Sequence, residues 1–317
     1  MGRKRALLFL GYVCFLTFVA SLAAQDLGPE FKKIKDGIYV RSASSADPRP
    51  DAEVLNSNCA IILTRDGVVL IDSGQNPTDS QEILKAIKKL TSQPVRFLLD
   101  TEIHGDHTTG HFVFSPPAMV VAPEGGAEAM RRDYDPERLE RLMAQSPEMR
   151  EASRGYRIVT PQIEYHGKLT LHVGERTFEL LQLENVHSEA DTAIWLPQER
   201  VLFSGPIALS NAYNRIRPFV SIPDILDATR QLKSLNPEIV VPGHGSPGTT
   251  KIFDDSEQFY RLLLDRVGGM VSEGKTLNQI KQGLRMSEYD HLLHKERIPE
   301  NIEGAYRAVQ AGYKVSR

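Results

Sequence analysis

The feature that most constrains this chain is the segment 102–107, which has the sequence EIHGDH. Four of its six residues carry side chains that bind metal ions, and the stability of a fold does not require so many ligands in so short a segment. Two further histidines, His187 and His244, follow apolar runs later in the chain. The segment and the two distant histidines together supply six candidate ligands, enough for two metal ions.

The spacing of these ligands predicts two adjacent groups of three. A catalytic zinc ion is usually held by three protein ligands, with one further position open for water. Alternate residues of an extended chain point the same way, whereas Gly105 permits the turn that the later ligands need. We therefore expect one group of Glu102, His104 and His187, and a second group of Asp106, His107 and His244.

The ligand segment follows a predicted β-strand. Residues 95–99 form a short apolar run after a proline, a pattern typical of a buried strand. Sheets of α/β proteins usually carry their functional residues beyond the carboxyl ends of the strands. The ligands therefore lie where such sheets place their sites.

Periodicity predicts the remaining elements. Helices are expected over 79–91, in a charged section over 126–154, and over 223–235, 254–273, 277–284 and 299–311. Strands are expected over 37–40, 59–63, 68–71, 95–99, 119–122, 169–173, 177–183, 192–196, 201–203 and 239–241.

The motifs resemble the metallo-β-lactamase superfamily over nearly all of the chain after residue 30. The family motif HxHxDH is matched by ExHxDH at 102–107, and the last family histidine, in a PGHG turn, is matched by 242–245. His187 precedes a small polar stretch and a strand, as in the family, and the segments 56–58 and 68–74 also match. The resemblance implies an α/β fold, an αββα four-layer sandwich of two mixed β-sheets flanked by helices, in a single domain over 30–317.

Two positions depart from the family pattern. Glu102 replaces the first histidine of the motif, and a carboxylate oxygen binds zinc at a bond length similar to that of an imidazole nitrogen. Pro206 occupies the position where many relatives place a bridging aspartate, and its side chain has no ligand atom. The chain thus resembles members without that aspartate, including one β-lactamase subclass, more than glyoxalase II or the ribonuclease Z group.

Other polar residues near the motifs have more ordinary interpretations. Asp72 is predicted to be structural, accepting hydrogen bonds from loops near the site. His111 is either a residue that orients a ligand carboxylate or an ordinary loop residue. Cys59 is predicted to be a buried strand thiol and, as the only cysteine after residue 24, it excludes an intramolecular disulfide. The histidines outside every motif are predicted to be solvated; they are His166, His172, His291 and His294.

The first residues have the pattern of an export signal. A basic start at 2–5 precedes an apolar run at 6–22 and small residues at 21–24, which predicts a signal peptide over 1–24 and a periplasmic or secreted protein. An uncleaved membrane anchor is the alternative. Removal of the three basic residues in this segment makes a chain of net charge −3 more acidic, which argues against a nucleic-acid partner. We expect a small-molecule substrate and no stable membrane association after cleavage.

The resemblance implies metal-assisted hydrolysis of a small ester, lactone, lactam or related substrate by one or two zinc ions. Asp106 would be the catalytic residue, since it would orient the attacking water and receive its proton. Two alternatives remain open. Two histidines and a carboxylate also suit iron, as in a mononuclear non-haem iron oxygenase acting on sulfur compounds. The other alternative is a non-catalytic metal-binding accessory protein.

Overall fold

The computed structural model describes residues 26–28, 30–42, 57–207 and 212–314. The predicted signal peptide, the loop 43–55 and Asn56 of the matched segment 56–58 lie outside the described residues. In the part of the chain that the structure describes, no helix is both long enough and apolar enough to cross a membrane.

Seven strands form the first sheet, and their order in the sheet is their order in the chain. They are β1 (Phe31–Lys35), β2 (Ile38–Arg41), β3 (Cys59–Thr64), β4 (Gly67–Ile71), β5 (Val95–Leu99), β6 (Met119–Pro123) and β7 (Ile163–Tyr165). The strands from β1 to β4 are antiparallel, whereas those from β4 to β7 are parallel. Every residue of β4 is buried, as expected for a strand covered on both faces of a sheet.

Five strands form the second sheet, in the order β12-β11-β10-β9-β8. They are β8 (Lys168–Val173), β9 (Arg176–Leu183), β10 (Asp191–Leu196), β11 (Val201–Gly205) and β12 (Ile239–Pro242). Only the pair of β11 and β12 is parallel among these strands. Both sheets are therefore mixed, as the resemblance implied.

Ten described α-helices connect and cover the sheets. They are α1 (Pro77–Leu90), α2 (Gly105–Thr108), α3 (His111–Phe114), α4 (Gly126–Arg132), α5 (Pro136–Met143), α6 (Pro147–Ala152), α7 (Ile222–Ser234), α8 (Lys251–Ser272), α9 (Leu277–Gly283) and α10 (Ile298–Gln310). Two short 3₁₀ helices, Ser287–Tyr289 and Lys295–Arg297, precede α10.

The interior of the protein lies between the two sheets. Ile62 and Leu99 of the first sheet pack in one apolar cluster with Phe178, Ile194 and Phe203 of the second. Burial of such side chains stabilises the fold by about 1.5–3 kcal/mol each relative to exposure. The inward faces of the sheets thus form one continuous core.

Helices cover the outer face of each sheet. Ile83 and Ile87 of α1 pack with Leu70 on the first sheet, while Leu263 of α8 and Ile302 of α10 belong to the cluster on the second sheet. The architecture is therefore an αββα sandwich, which confirms the fold class expected from the sequence. Helices α8, α9 and α10 add to the layer over the second sheet.

The predicted elements differ from the observed ones in a few places. The strands β1 and β7 and the short helices α2 and α3 were not predicted, because each has at most five residues and carries little periodic signal. The charged section 126–154, which was predicted to be helical, consists of three helices. Prolines begin the second and third of these helices, and proline is favoured in the first turn and excluded from a helix interior.

Candidate metal centre

All six predicted ligands lie at one edge of the sandwich, beyond the ends of its strands. Glu102 and His104 follow β5, and the predicted turn is the short helix α2, which contains Asp106 and His107. His187 follows β9, and His244 follows β12. The two sheets thus bring residues that are far apart in sequence to the same place, as the sequence analysis predicted.

The first predicted group is assembled around the Glu102 carboxylate. Its Oε2 atom is in short contact with Nδ1 of His104 and lies 3.4 Å from Nε2 of His187. The three ligand atoms lie within 4.8 Å of one another. A single divalent ion fits between atoms at such separations, since each zinc ligand bond is about 2.0–2.2 Å.

The second predicted group is equally compact. The Oδ2 atom of Asp106 lies 3.3 Å from Nε2 of His244 and 3.6 Å from Nε2 of His107. The two imidazole nitrogens lie 3.3 Å apart. The structure therefore brings Asp106, His107 and His244 together as predicted.

Glu102 faces the second group as well as the first. Its other oxygen, Oε1, lies 3.0 Å from Nε2 of His107, and Glu102, His107 and His244 also form a set of ligand atoms within 4.8 Å of one another. The sequence assigned Glu102 to the first group alone. In the structure, Glu102 contacts both groups. Its carboxylate, which is 1 % exposed, lies between the groups and has one oxygen toward each.

The protonation of His107 shows why this cluster fits a cation. Its Nδ1 atom lies 2.9 Å from Oδ2 of Asp72, so Nδ1 carries the donated hydrogen, and when the imidazole is neutral the lone pair of Nε2 points at Glu102 and Asp106. Burial lowers the pKa of His107, but the Glu102 and Asp72 carboxylates raise it by more, and the net pKa lies well above its ordinary value. A positive charge is favoured at this position, and a divalent metal ion supplies it.

His187 and Asp106 have the charge states that metal binding requires. Burial lowers the pKa of the His187 imidazole to about 3, so that it remains neutral. Burial raises the pKa of Asp106, but His107 and His244 together lower it by more, and the net value is below the ordinary one. Metal ions bind neutral imidazole and ionised carboxylate, and the donor set therefore fits zinc.

Asp72 supports the ligand segment, in agreement with its predicted structural role. Besides its contact with His107, it accepts hydrogen bonds from the backbone nitrogen of Thr101 at 2.8 Å and from the Thr101 hydroxyl at 2.7 Å. Partners of this kind fix the orientation of the ligand imidazole. Asp72 therefore fixes both the strand end and one ligand ring.

Asp191 is a supporting residue that the sequence analysis missed. Its Oδ2 atom accepts hydrogen bonds from the backbone nitrogens of His187 at 2.8 Å and Ser188 at 2.7 Å. Asp191 is fully buried, so these bonds hold the loop that carries the ligand. Serine and aspartate favour hydrogen bonds within turns and loops, and the polar stretch from Ser188 to Asp191 after His187 was the available signal.

The segment around Asn58 holds the turn that carries His244. The side chain of Asn58 donates to the carbonyl oxygens of Pro242 at 2.7 Å and Gly245 at 2.8 Å. Ser57 donates to the carbonyl oxygen of Asp106 at 2.5 Å. Ser57 and Asn58 therefore hold two segments that carry predicted ligands, which gives a structural reason for the match of this segment to the family pattern.

The remaining histidines lie away from the ligands. His111 is buried and bonds to Asp100 at 2.9 Å and to the Val159 carbonyl oxygen at 2.8 Å, so it orients a carboxylate, but not one of the six predicted ligands. The other histidines were predicted to be solvated; His166, His172 and His291 are exposed. His294 is only partly exposed and bonds to Glu296 at 3.0 Å, which corrects that prediction.

A cavity of about 510 Å³ opens over the ligands. The section 126–154 contributes Met130, Tyr134, Leu139 and Leu142 to its walls. This section therefore covers part of the site.

The sequence model of the metallo-beta-lactamase superfamily matches residues 52–244. The chain belongs to this superfamily. The match includes all six predicted ligands and ends at His244. The superfamily resemblance inferred from the motifs is thus confirmed, whereas residues 245–317, with the helices α8, α9 and α10, lie beyond the match.

Curated relatives in the superfamily are distant. A linear primary-alkylsulfatase from a Pseudomonas species is 21% identical over 275 residues, which are 75% of this chain and 49% of the relative. A 2,4-dinitroanisole O-demethylase subunit alpha from a Nocardioides species is 25% identical over 180 residues, 56% of this chain and 49% of the relative. A metallo-beta-lactamase type 2 from Bacillus cereus is 22% identical over 253 residues, 75% of this chain and 90% of the relative. The chain spans about half the length of the first two relatives.

Solved structures of superfamily members share the fold. A metallo-beta-lactamase from Pontibacter korlensis has a TM-score of 0.55 at 22% identity, covering 72% of this chain and 97% of that one. A stereoselective inverting sec-alkylsulfatase from a Pseudomonas species has a TM-score of 0.66 at 17% identity, covering 89% of this chain and 50% of that one. At these identities the likeness is one of fold.

Proposed function

We propose that this chain is an exported zinc-dependent hydrolase that uses metal-activated water on a small ester, lactone, lactam or related substrate. One observation carries the proposal. Two groups of ligand atoms, each within a few ångströms, lie side by side at the base of a cavity of about 510 Å³. A structural metal site has no need of an open cavity, whereas a catalytic site must admit water and substrate.

The residues of the cluster would have different roles in the reaction. Zinc bound by these residues would lower the pKa of a water molecule toward neutrality and polarise the scissile carbonyl or related group. Glu102, His104 and His187 are the residues that would hold the ion bearing the hydroxide. Asp106, His107 and His244 would hold the second ion, and the ionised Asp106 would orient the water and receive its proton.

Several features support a small hydrolysable substrate. The cavity has apolar walls from Leu139 and Leu142 and polar walls from the ligands and arginines, a combination typical of sites for small molecules. The names of the relatives include an alkylsulfatase and a metallo-beta-lactamase. Those names describe hydrolytic activities of other proteins, and their extension to this chain is part of the proposal.

Metal content tests the proposal first. Elemental analysis of the mature protein, purified without chelator or added metal, is expected to find two zinc ions per chain. One iron ion per chain together with oxygen uptake would instead favour the oxygenase. A steady-state panel with a carbapenem, a lactone, an aryl ester and a phosphodiester then identifies the bond that is cleaved. A fully metal-loaded protein without turnover on any of them would contradict a hydrolase and favour a binding protein.

Export is a separate part of the proposal and rests on the sequence of residues 1–24. Amino-terminal sequencing of the protein recovered from outside the cytoplasm is expected to begin near Ala24 or Gln25. Recovery of the intact amino terminus in a membrane fraction would support the uncleaved anchor instead.

A further inference from the structure

One wall of the cavity is a short segment without regular secondary structure. Residues 156–159, which we call the wall segment, line the cavity together with the metal ligands, and they belong to neither a helix nor a strand. At its start, the Tyr156 nitrogen donates to the Ser153 carbonyl oxygen at 3.0 Å. The chain joins the first sheet only beyond it, where the Gln162 nitrogen donates to the Val120 carbonyl oxygen at 3.0 Å. Contacts from other parts of the chain therefore decide the path of the wall segment.

Helix α3 and the residue that follows it supply such contacts. The rings of Phe112 and Tyr156 lie edge to face, with their centroids 5.1 Å apart. Arg157 donates a short hydrogen bond to the carbonyl oxygen of Ser115, the residue after α3. The first half of the wall segment is thus attached to α3.

Helix α3 is itself fixed to the ligand segment. The Ser73 hydroxyl donates to the His107 carbonyl oxygen at 2.7 Å and accepts from the Gly110 nitrogen at 3.1 Å. A Cβ atom at Gly110 would overlap the Ser80 hydroxyl, so the start of α3 is in close contact with α1. The wall segment is therefore attached to the same unit of structure that carries the ligand His107.

His111 holds the last residue of the wall segment. Its Nδ1 atom lies 2.8 Å from the Val159 carbonyl oxygen, and its Nε2 atom lies 2.9 Å from Oδ1 of Asp100. The side chains of His111 and Asp100 are both buried. Asp100 comes two residues before the ligand Glu102. One imidazole thus connects the chain that leads from β5 to the ligands with a wall of the cavity.

The contact with Val159 determines the place of one hydrogen on the His111 ring. A carbonyl oxygen only accepts hydrogen bonds, so Nδ1 carries a hydrogen and donates it to Val159. This donation is the same whether the other nitrogen donates to Asp100 or accepts from it. Burial lowers the pKa of His111, but Asp100 and the Val159 carbonyl oxygen raise it, and the net pKa lies above the ordinary value. The charged ring is favoured, and a charged donor makes the stronger hydrogen bond.

We propose that His111 is a positioning residue for the substrate, which holds the wall segment against α3 and so sets the width of the cavity beside the metal ligands. A buried carbonyl group that loses its donor is left unsatisfied, which makes this contact costly to break. His111 is not one of the six candidate ligands, so zinc affinity is expected to be independent of it. Its effect on turnover rests on the proposed hydrolase, whereas its effect on the wall segment does not.

Two substitutions separate the two hydrogen bonds of His111. The amide nitrogen of asparagine lies close to the place of Nδ1 in histidine, and that of glutamine lies close to the place of Nε2. His111→Asn is therefore expected to keep the bond to Val159, whereas His111→Gln keeps only the bond to Asp100. His172→Gln, at an exposed position of β8, is the matched control.

Amide hydrogen exchange, followed by mass spectrometry, measures the wall segment without turnover. In His111→Gln, peptides that cover residues 156–161 are expected to exchange about tenfold faster, the factor that corresponds to one lost hydrogen bond. His111→Asn and His172→Gln should exchange at the wild-type rate. Equal acceleration in the Asn and Gln variants, or none in the Gln variant, would overturn the proposal. If His111→Gln does not fold, the Asn variant decides alone: the wild-type rate supports the proposal and faster exchange overturns it.

Ligand binding tests the width of the cavity. Zinc-loaded protein is titrated calorimetrically with acetohydroxamate and with benzohydroxamate, which share a metal-binding group and differ in size. His111→Gln is expected to change the affinity for benzohydroxamate about tenfold more than that for acetohydroxamate, and His111→Asn to leave both unchanged. Equal changes for the two ligands in the Gln variant would place the effect at the metal ions, contrary to the proposal.

Turnover separates this role from the proposed function. The two substrates are 4-nitrophenyl acetate and 4-nitrophenyl benzoate, which differ in the size of the acyl group. His111→Gln is expected to raise KM for the benzoate about tenfold while kcat for both esters stays close to the wild-type value. A fall in kcat for both esters at unchanged KM would overturn the positioning role. If neither ester is cleaved, the hydrolase loses support, whereas exchange and hydroxamate binding still decide the role of His111.

Discussion

The Oδ2 atom of Asp72 lies 2.9 Å from Nδ1 of His107, and both side chains are almost completely buried. This contact sets which nitrogen of the imidazole carries hydrogen, and so it aims the Nε2 lone pair at the other ligands. Asp72 has a positive φ of 54°, a conformation that aspartate and asparagine adopt more readily than most residues.

Asp72→Asn is expected to weaken metal binding about 10–100-fold while leaving the fold intact. Asparagine tolerates the same backbone conformation, but its neutral amide no longer favours the correct imidazole tautomer. Zinc affinity, measured by competition with a chromophoric chelator, checks this expectation. Asp66→Asn, in the exposed hairpin turn, is the matched control. Unchanged affinity in the Asp72 variant would show that the contact does not support the metal site.

Removal of ligands is expected to separate two roles. His104→Ala should abolish turnover, because one ligand of the ion that bears the hydroxide is lost. Asp106→Asn should reduce kcat by at least about a hundredfold, because the amide cannot receive the proton of the attacking water. Rates with saturating zinc, on whichever substrate the panel identifies, provide the measurement. Wild-type kcat in either variant would refute the assigned role.

Stability of the metal-free protein is expected to fall as pH rises above 6.5 toward the raised pKa of His107. The folded-state pKa of His107 is raised well above 6.5, so its contribution is fully present below pH 6.5 and disappears as pH rises through the folded value. The free energy of unfolding, from denaturant titration with chelator present, should decrease over this rise in pH. Excess zinc should reverse the trend, because zinc replaces the proton and binds more tightly as pH rises. If the free energy of unfolding changed with pH in the same way with and without zinc, this explanation would be contradicted.

Cys59 is expected to be inert in the folded protein. Burial raises the pKa of its thiol to about 12, which confirms the predicted buried strand thiol. At pH 8.5, iodoacetamide should react with it at least about a hundredfold more slowly in the native state than in denaturant, since only the thiolate reacts. A Cys14→Ser background leaves Cys59 as the only thiol. Because the pKa is raised from 9.0, the associated stability is present below pH 9 and is lost toward pH 12.

The candidate ligands could be identified from the sequence because most of them lie in one short segment. Segment 102–107 concentrates four ligands, and His187 and His244 follow apolar runs that predict strands. The strands β1 and β7 were not predicted, whereas the other ten described strands were predicted from apolar runs and alternation. Their bounds differ by one or two residues where caps and bulges decide the end, which periodicity does not record.

The remaining features depend on contacts between distant residues. Arg297 reaches the cavity only because helix α10 packs on the segment 212–220, 77 or more residues earlier in the chain. The support of His187 by Asp191 depends on hydrogen bonds within one folded loop. A pattern of residue types does not specify such contacts. The position of Glu102 between the two groups also depends on distant residues, since it is determined by the loops that follow β5 and β12.

That position of Glu102 leads to a prediction about the two departures from the family motif. One Glu102 oxygen faces each group of ligands, while Pro206 lines the same cavity with no ligand atom. Glu102→His restores the sequence HxHxDH but provides only one ligand atom toward the metals. Zinc titration is therefore expected to show one site weakened about 10–100-fold, with the other little changed.

A carboxylate at position 206 should compensate for that loss. The double variant with Glu102→His and Pro206→Asp is expected to recover the affinity of the weakened site, whereas Pro206→Asn in the same background should not, because its amide is a weaker ligand than a carboxylate. The hydrogen bond from Asn214 to residue 206 uses the backbone oxygen, so these substitutions retain it. If Glu102→His alone bound two zinc ions as tightly as the wild type, Glu102 would belong to the first group only. In that case the Glu102 carboxylate would not connect the two groups. It would also not compensate for the aspartate that is missing at position 206.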